Sequence, residues 1–375
     1  MIYLDNSATT KPCETAVKYI NEHLCEKWGN PSSLYKFGLT AELSIKETAA
    51  KTAKQIGAAE GEIFFTSGGT EANNTVLRSV AKSRKKRGNK IIISSVEHHS
   101  ILDTANELAN DGFEIVFLPV DKNGRVSDKD IFSAVDKNTI LVSIMLVNNE
   151  TGTIQPVAAA RQAINDSGAP ALLHTDAVQG FGKMPISVSR LGVDFLTASA
   201  HKIHGAKGAG ILYKKKGVFI PPFITGGGQQ EGLRSGTEAV PAIVGLLGAL
   251  EELNIKENYY HAKELNAYAR EKLLLLDNVF INSPDDALPY ILNISVLGYR
   301  SETLLHYLEA DGICVSSGSA CSKGKGSYVL YEMGLNRNRV DSALRLSFSR
   351  YNTKEDIDAL VLSVKNAQAR LRKSI

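Results

Sequence analysis

Short runs of β-branched, aliphatic and aromatic residues recur through the first two thirds of the chain, at 90–96, 113–119, 139–147, 171–176 and 195–199. Each reads as a buried strand. Between them lie amphipathic stretches at helical spacing, such as 100–110 and 156–167. Strand and helix in alternation predict an α/β fold, a mostly parallel sheet covered on both faces. The segment from about 240 to 275 carries Ala and Leu at helical spacing and reads as one long helix joining two domains. Beyond it the pattern changes: strands at 290–296 and 342–348, a helix at 301–310 and a terminal helix at 354–372 predict a smaller α+β module.

The polar ends of the apolar runs carry the candidate chemistry. In parallel sheets ligands sit at the carboxyl ends of the strands. The run Ala171-Leu-Leu-His-Thr-Asp176 ends in a carboxylate, and Phe195-Leu-Thr-Ala-Ser-Ala-His-Lys202 ends in an amine. A lysine and an aspartate placed this way suit pyridoxal phosphate: the lysine holds it as a Schiff base, and the aspartate keeps the pyridine nitrogen protonated. The turn Phe65-Thr-Ser-Gly-Gly-Thr-Glu-Ala-Asn73 precedes a helix expected to begin near Glu71. It offers free N–H groups to a phosphate at Gly69 and Thr70, or is simply a capped helix start. His98 and His99 follow one strand, and Asn148-Asn149 follow another. An imidazole there can stack on a flat ring or move protons, and the amides can donate to a ring oxygen or build a turn. Gln179 is a second amide of the same kind. Arg345 suits a carboxylate, or is an ordinary edge-strand arginine. The glycine-dense loop from Gly226 to Thr237 suits close approach to a phosphate or to another subunit.

Composition narrows the class. The 375 residues are 43% hydrophobic and 22% charged, with a net charge of +3, ordinary for a globular protein and too weakly basic for a dedicated nucleic-acid binder. The basic cluster 82–87 follows a helical stretch and reads as its solvated end. No apolar run approaches the ~20 residues needed to span a bilayer, and the N-terminus lacks the features of a signal peptide. A reducing, cytoplasmic setting is expected. Of the four cysteines, Cys13 and Cys25 fall on a predicted N-terminal helix and Cys314 in an apolar run. Cys321 sits in a small, basic, glycine-rich segment, where Lys323 and Lys325 favour a thiolate.

With these residues in view, the chain resembles the cysteine desulfurases of the NifS/IscS type, in the class V aminotransferase group. The resemblance runs nearly end to end, through Tyr3-Leu-Asp-Asn-Ser-Ala-Thr-Thr10, Gly29-Asn-Pro-Ser-Ser33, Thr66-Ser-Gly-Gly-Thr-Glu71, Val147-Asn-Asn-Glu-Thr-Gly152, His174-Thr-Asp-Ala-Val-Gln179, Ser199-Ala-His-Lys202, Arg234-Ser-Gly-Thr237 and Ser317-Gly-Ser-Ala-Cys321. It implies a fold type I pyridoxal-phosphate transferase with a seven-stranded sheet. It also implies a large domain over 15–255 and a small domain from 1–14 and 256–375, the latter carrying a cysteine loop at about 316–327. Lys202 would carry the cofactor. Gly69, Thr70, Ser199 and His201 would hold its phosphate, with Thr237 reaching across a homodimer. Asp176 would pair with the ring nitrogen, Asn149 and Gln179 would flank the phenolic oxygen, and His98 would stack on the ring. Arg345, helped by Asn30, would clamp the carboxylate of L-cysteine. Cys321 would accept the sulfur and pass it to an iron–sulfur scaffold or a thiolation enzyme. No resident metal is implied, beyond transient ligation of a cluster by Cys321 with a partner.

Family members usually carry a longer insert after this cysteine, with a Leu-Glu-Pro-Ser element. Here Cys321-Ser-Lys-Gly-Lys-Gly-Ser-Tyr328 is shorter and lacks it, which shortens its reach. A selenocysteine lyase shares the chemistry and is the nearest rival. A class V aminotransferase would not need Cys321, and a non-catalytic interaction protein would not need Lys202 and Asp176.

Overall fold

The computed structural model describes residues 1–59, 61–318 and 326–374. Its strands are β1 (Ile2–Tyr3), β2 (Ile63–Thr66), β3 (Lys90–Ser94), β4 (Glu114–Leu118), β5 (Thr139–Ser143), β6 (Leu172–Asp176), β7 (Phe195–Ser199), β8 (Gly210–Lys214), β9 (Val279–Ile281), β10 (Ile291–Val296), β11 (Ile313–Cys314) and β12 (Ala343–Ser347). Seven of these form one sheet in the order β2-β8-β7-β6-β5-β3-β4. The sequence β7-β6-β5-β3-β4 is parallel, and β8 runs antiparallel to both of its neighbours. Two reversals restore direction, so β2 ends at the same edge as β7. That edge therefore collects the residues that follow β2, β3, β5, β6 and β7.

The strands are short and their side chains are buried on both faces, as expected of a sheet covered by helices. One core packs Ile92, Val142, Leu173, Leu196 and Ile211 against the helices Val157–Ser167 and Val240–Glu251. The other packs Ile91, Ile93, Leu141 and Phe195 against Gly69–Arg84 and His99–Asn110. A separate core surrounds an antiparallel sheet, β12-β10-β9, under the helices Ile255–Leu273, Ser301–Ala310 and Lys354–Arg370. The chain start joins that second region: Leu4 is buried in its core and β1 pairs with β11.

Two elements differ from expectation. The long helix expected over 240–275 is two helices, broken at Asn254, whose side chain accepts from the Glu257 amide and caps the second. The spacing Asn254-x-x-Glu257 is a helix-start signature that the Ala/Leu periodicity obscured. The strand expected over 139–147 is regular only to Ser143: beyond it the Ile144 and Leu146 amides still donate to the β6 carbonyls of His174 and Asp176, but on the other side the Met145 amide donates to the Glu97 carboxyl. Among the described residues no helix is long and apolar enough to cross a membrane.

Candidate active site

A cavity of about 380 Å³ opens at the collecting edge of the large sheet. Lys202 reaches it from the 3-10 turn Ala200–Lys202 that follows β7. Its Nζ donates to the carbonyls of Ser7 and Ala8, each at 2.7 Å, so the N-terminal segment forms one wall. Asp176 ends β6 beside it. One carboxylate oxygen accepts from the Val178 amide at 2.9 Å and the other from Asn73 Nδ2 at 2.7 Å. The carboxylate is thus held in one orientation with lone pairs to spare for a cation.

Asn73 also donates to Ser100 Oγ at 2.9 Å. Ser100 Oγ lies 2.9 Å from His98 Nδ1, and the Ser100 amide donates to that same nitrogen at 3.1 Å. An amide N–H can only donate, so His98 Nδ1 is an acceptor and the neutral ring carries its proton on Nε2. Burial lowers the His98 pKa and keeps the ring neutral; the Asp176 charge opposes this, and the Lys202 charge adds to it. His98 therefore presents an N–H as a donor and is not poised as a base through Nε2.

At the other end of the cavity the helix Gly69–Arg84 begins at Gly68 with no side-chain cap. Its first N–H groups and its dipole favour an anion. A Cβ on Gly69 would sit 2.9 Å from Val178 Cγ2, so only glycine leaves this floor open. Ser199 and His201 line the same end, with Thr70. Burial, helped by the Lys202 charge, lowers the His201 pKa to about 4, so its ring is a neutral donor near pH 7. Glu71, which would repel an anion here, is turned aside onto Arg234 at 2.9 Å.

Arg345 is buried on β12 and enters from the smaller sheet. It donates to Asp5 Oδ1 at 2.7 Å and to the Asn149 carbonyl at 3.0 Å, while its Nε has no partner among the described residues. Asn149 Oδ1 is likewise buried without one. Beside them Glu150 is fully buried; desolvation pushes its carboxyl up to about 7, with the Ser327 hydroxyl as its hydrogen-bond donor. Glu97, under His98, is pushed up to about 8 by burial.

The residues expected from sequence mostly meet here. Gly69, Thr70, His98, Asn149, Asp176, Gln179, Ser199, His201, Lys202 and Arg345 all line the cavity. Asn30 and Thr237 are exposed and do not line it; the Asn30 side chain accepts from the Ser32 amide instead. Cys321 lies outside the described residues. Gly318 and Tyr328, which lie on either side of it in the chain, do line the cavity. Sequence reading missed Ser7, Asn73, Ser100 and Glu150. Asn73 falls one helical turn after Gly69-Thr70, on the face where those residues sit, and that spacing is the signal that was available. Among the described residues no group of three or more His, Cys, Asp and Glu gathers as metal ligands.

The donor set suits pyridoxal phosphate. It has an uncapped helix start for a phosphate, a fixed carboxylate for a pyridinium, the amide NH2 groups of Asn149 and Gln179 for a ring oxygen and a lysine for the aldehyde. The comparisons agree. The family model "Aminotransferase class-V" matches residues 2–360. Cysteine desulfurase IscS of Methanosarcina thermophila is 40% identical over 376 residues, covering 99% of this chain and 93% of that protein. A solved NifS-like protein superposes with a TM-score of 0.94 at 39% identity, over 99% of this chain and 100% of that one. SspA, solved in complex with cysteine, superposes at 0.84 with 30% identity, over 94% of this chain and 100% of that one. A match to the family model over nearly the whole chain, with relatives this similar, places the chain in the class-V aminotransferase family, among its NifS/IscS-type cysteine desulfurases.

Proposed function

We propose that this protein is a pyridoxal-phosphate-dependent cysteine desulfurase, converting L-cysteine to L-alanine and leaving the sulfur as a persulfide on Cys321. The observation that carries this reading is the meeting of Lys202, Asp176, the open helix start at Gly69 and Arg345 in one cavity of a NifS/IscS-type chain. Bound there, pyridoxal phosphate supplies an electron sink for the charge that develops at the substrate's α carbon. Lys202 holds the cofactor and moves the α proton. Asp176 keeps the ring nitrogen protonated, and Gly69, Thr70, Ser199 and His201 bind the phosphate. Arg345 receives the substrate carboxylate in exchange for part of its contact with Asp5. The Cys321 thiolate attacks the substrate sulfur: the new S–S bond forms as the C–S bond breaks, and its electron pair, with a proton, ends on alanine. Neutral His98 donates from Nε2 during these steps.

A homodimer completes the site in this reading. Trp28, Leu34, Tyr35, Leu39 and Leu43, flanking Asn30, are all exposed, as are Phe219 and Phe223 before the loop that carries Thr237. Exposed apolar surface of this kind marks an interface, and such an interface would bring Thr237, and Asn30 with it, to a partner's cavity. The separate cores of the two sheets support two domains, proposed as 15–255 and as 1–14 with 256–375, with Cys13, Ala262, Leu288, Tyr290 and Ile291 of the smaller one packed into the core of the larger. The persulfide then passes to an acceptor protein.

The test is to supply L-cysteine, with and without a thiol reductant, and measure alanine and sulfide. Cys321→Ser should keep the cofactor's visible absorbance and lose persulfide formation; full sulfur transfer by that variant would refute the role of Cys321. L-Selenocysteine in a parallel arm separates a lyase of that substrate from a desulfurase.

A further inference from the structure

Lys183 has no part in the chemistry above, yet it is buried behind the cavity wall. Among the described residues no carboxylate lies within ion-pair distance of it. Its Nζ donates to Gln179 Oε1 at 3.0 Å and sits 5.8 Å from the centre of the Tyr290 ring. Burial, with the charges of Lys202 and Arg345 added, pulls its pKa down to about 7. Either protonation state of this nitrogen has N–H groups to give.

The other end of the Gln179 amide donates from Nε2 to the Ser7 carbonyl at 3.0 Å. Ser7 and Gln179 both line the cavity; Lys183 does not, and lines a small void on the far side of Lys202. A glutamine amide has two orientations related by a flip. Lysine offers donors, and a backbone carbonyl only accepts. The flipped amide would set its oxygen against the Ser7 oxygen, a repulsive contact whatever the state of Lys183, and its NH2 against the Lys183 nitrogen, repulsive while that nitrogen is charged. Buried in this way, the amide has one orientation.

We propose that Lys183 is a positioning residue: it fixes the Gln179 side chain so that its NH2 end faces the cavity as a hydrogen-bond donor to an anionic oxygen of the bound cofactor. This rests on the cofactor assignment made above. Without Lys183, the Oε1 end loses its donor and only the Ser7 contact still holds the amide, so the donor is less firmly aimed at that anion. A ring oxygen that loses a donor holds the neighbouring proton of the Lys202-bound cofactor more tightly, so that proton leaves at higher pH.

The experiment is a pH titration of the visible absorbance of the resting, cofactor-loaded protein. It compares the unaltered chain, Lys183→Met, Gln179→Ala and the double variant. The charged groups Lys202, Arg345 and Asp176 are common to all four. Lys183→Met should raise the midpoint by about one pH unit, the shift expected for the loss of one hydrogen bond. Gln179→Ala should raise it similarly, and the double variant no further than Gln179→Ala alone. Lys183→Arg, which keeps a donor, should restore the original midpoint. The thermal melting of Lys183→Met without cofactor should not fall, since a buried charge has been removed. An unmoved midpoint in Lys183→Met, or a shift that adds to that of Gln179→Ala, overturns the proposal. A lowered melting temperature with an unmoved midpoint assigns Lys183 a purely structural role. If Lys183→Met does not fold, Lys183→Leu is read against the same expectations. Failure of the unaltered chain to take up pyridoxal phosphate would instead refute the cofactor assignment.

Discussion

Replacing Glu97 by glutamine should stabilise the protein in alkali and leave it unchanged in acid. Glu97 is fully buried; Oε1 accepts from Ser94 Oγ and the Met145 amide, each at 2.6 Å, and Oε2 has no partner among the described residues. Burial raises its pKa from the ordinary 4.5 to about 8, with the Asp176 charge also contributing. Between those values the folded chain binds a proton that the unfolded chain has lost, so stability falls as pH rises through that window. At ~1.4 kcal/mol per pH unit, the loss reaches about 5 kcal/mol by pH 9 as an upper limit and is under about 1 kcal/mol at pH 5. Glutamine keeps the Oε1 acceptor and cannot ionise. Denaturant unfolding of the cofactor-free protein from pH 5 to 9 should give curves for Glu97→Gln and the unaltered chain that nearly meet at pH 5, separate progressively up to about pH 8 and run parallel beyond it, with the variant more stable. Parallel curves across the range would refute the reasoning. The point matters to the site, because a neutral Glu97 leaves Asp176 as the anion that faces the cofactor ring.

Two further substitutions probe the cavity's ends. Arg345→Lys removes the planar fork that serves Asp5 and the Asn149 carbonyl together, and it should raise KM for L-cysteine about tenfold or more while changing kcat less; steady-state kinetics with an unchanged KM would deny Arg345 the carboxylate. Gly69→Ala places a methyl group 2.9 Å from Val178 Cγ2, which must move at the helix start, so pyridoxal phosphate should bind about tenfold more weakly in an absorbance titration while the melting temperature of the cofactor-free protein changes little.

What could be read from the chain was local. Lys202 and Asp176 stood out because polar residues end apolar strands there, and strand direction carried them to one edge. The glycine turn was legible as a strand-to-helix junction, whereas strand position left His98 and His99 equal and only the family resemblance singled out His98. The cysteine segment was legible as sequence through its motif and lysines. The contacts that orient these groups were not. Asp5 and Arg345 are 340 residues apart, and Ser327 reaches Glu150 across 177. No periodicity encodes such pairs, because each depends on how the second sheet is seated against the first. The capped break at Asn254 was encoded locally and lost to a stronger periodic signal.

The sequence by itself determined which elements form and which reactive residues sit at their ends, since hydrophobic period and turn chemistry act over a few residues. The tertiary structure decided the state of those residues: the tautomer of His98, the orientation of Asp176 and Gln179, and the raised pKa values of Glu97 and Glu150. Those states are set by burial and by hydrogen bonds between distant segments, and neither exists until the two cores have packed.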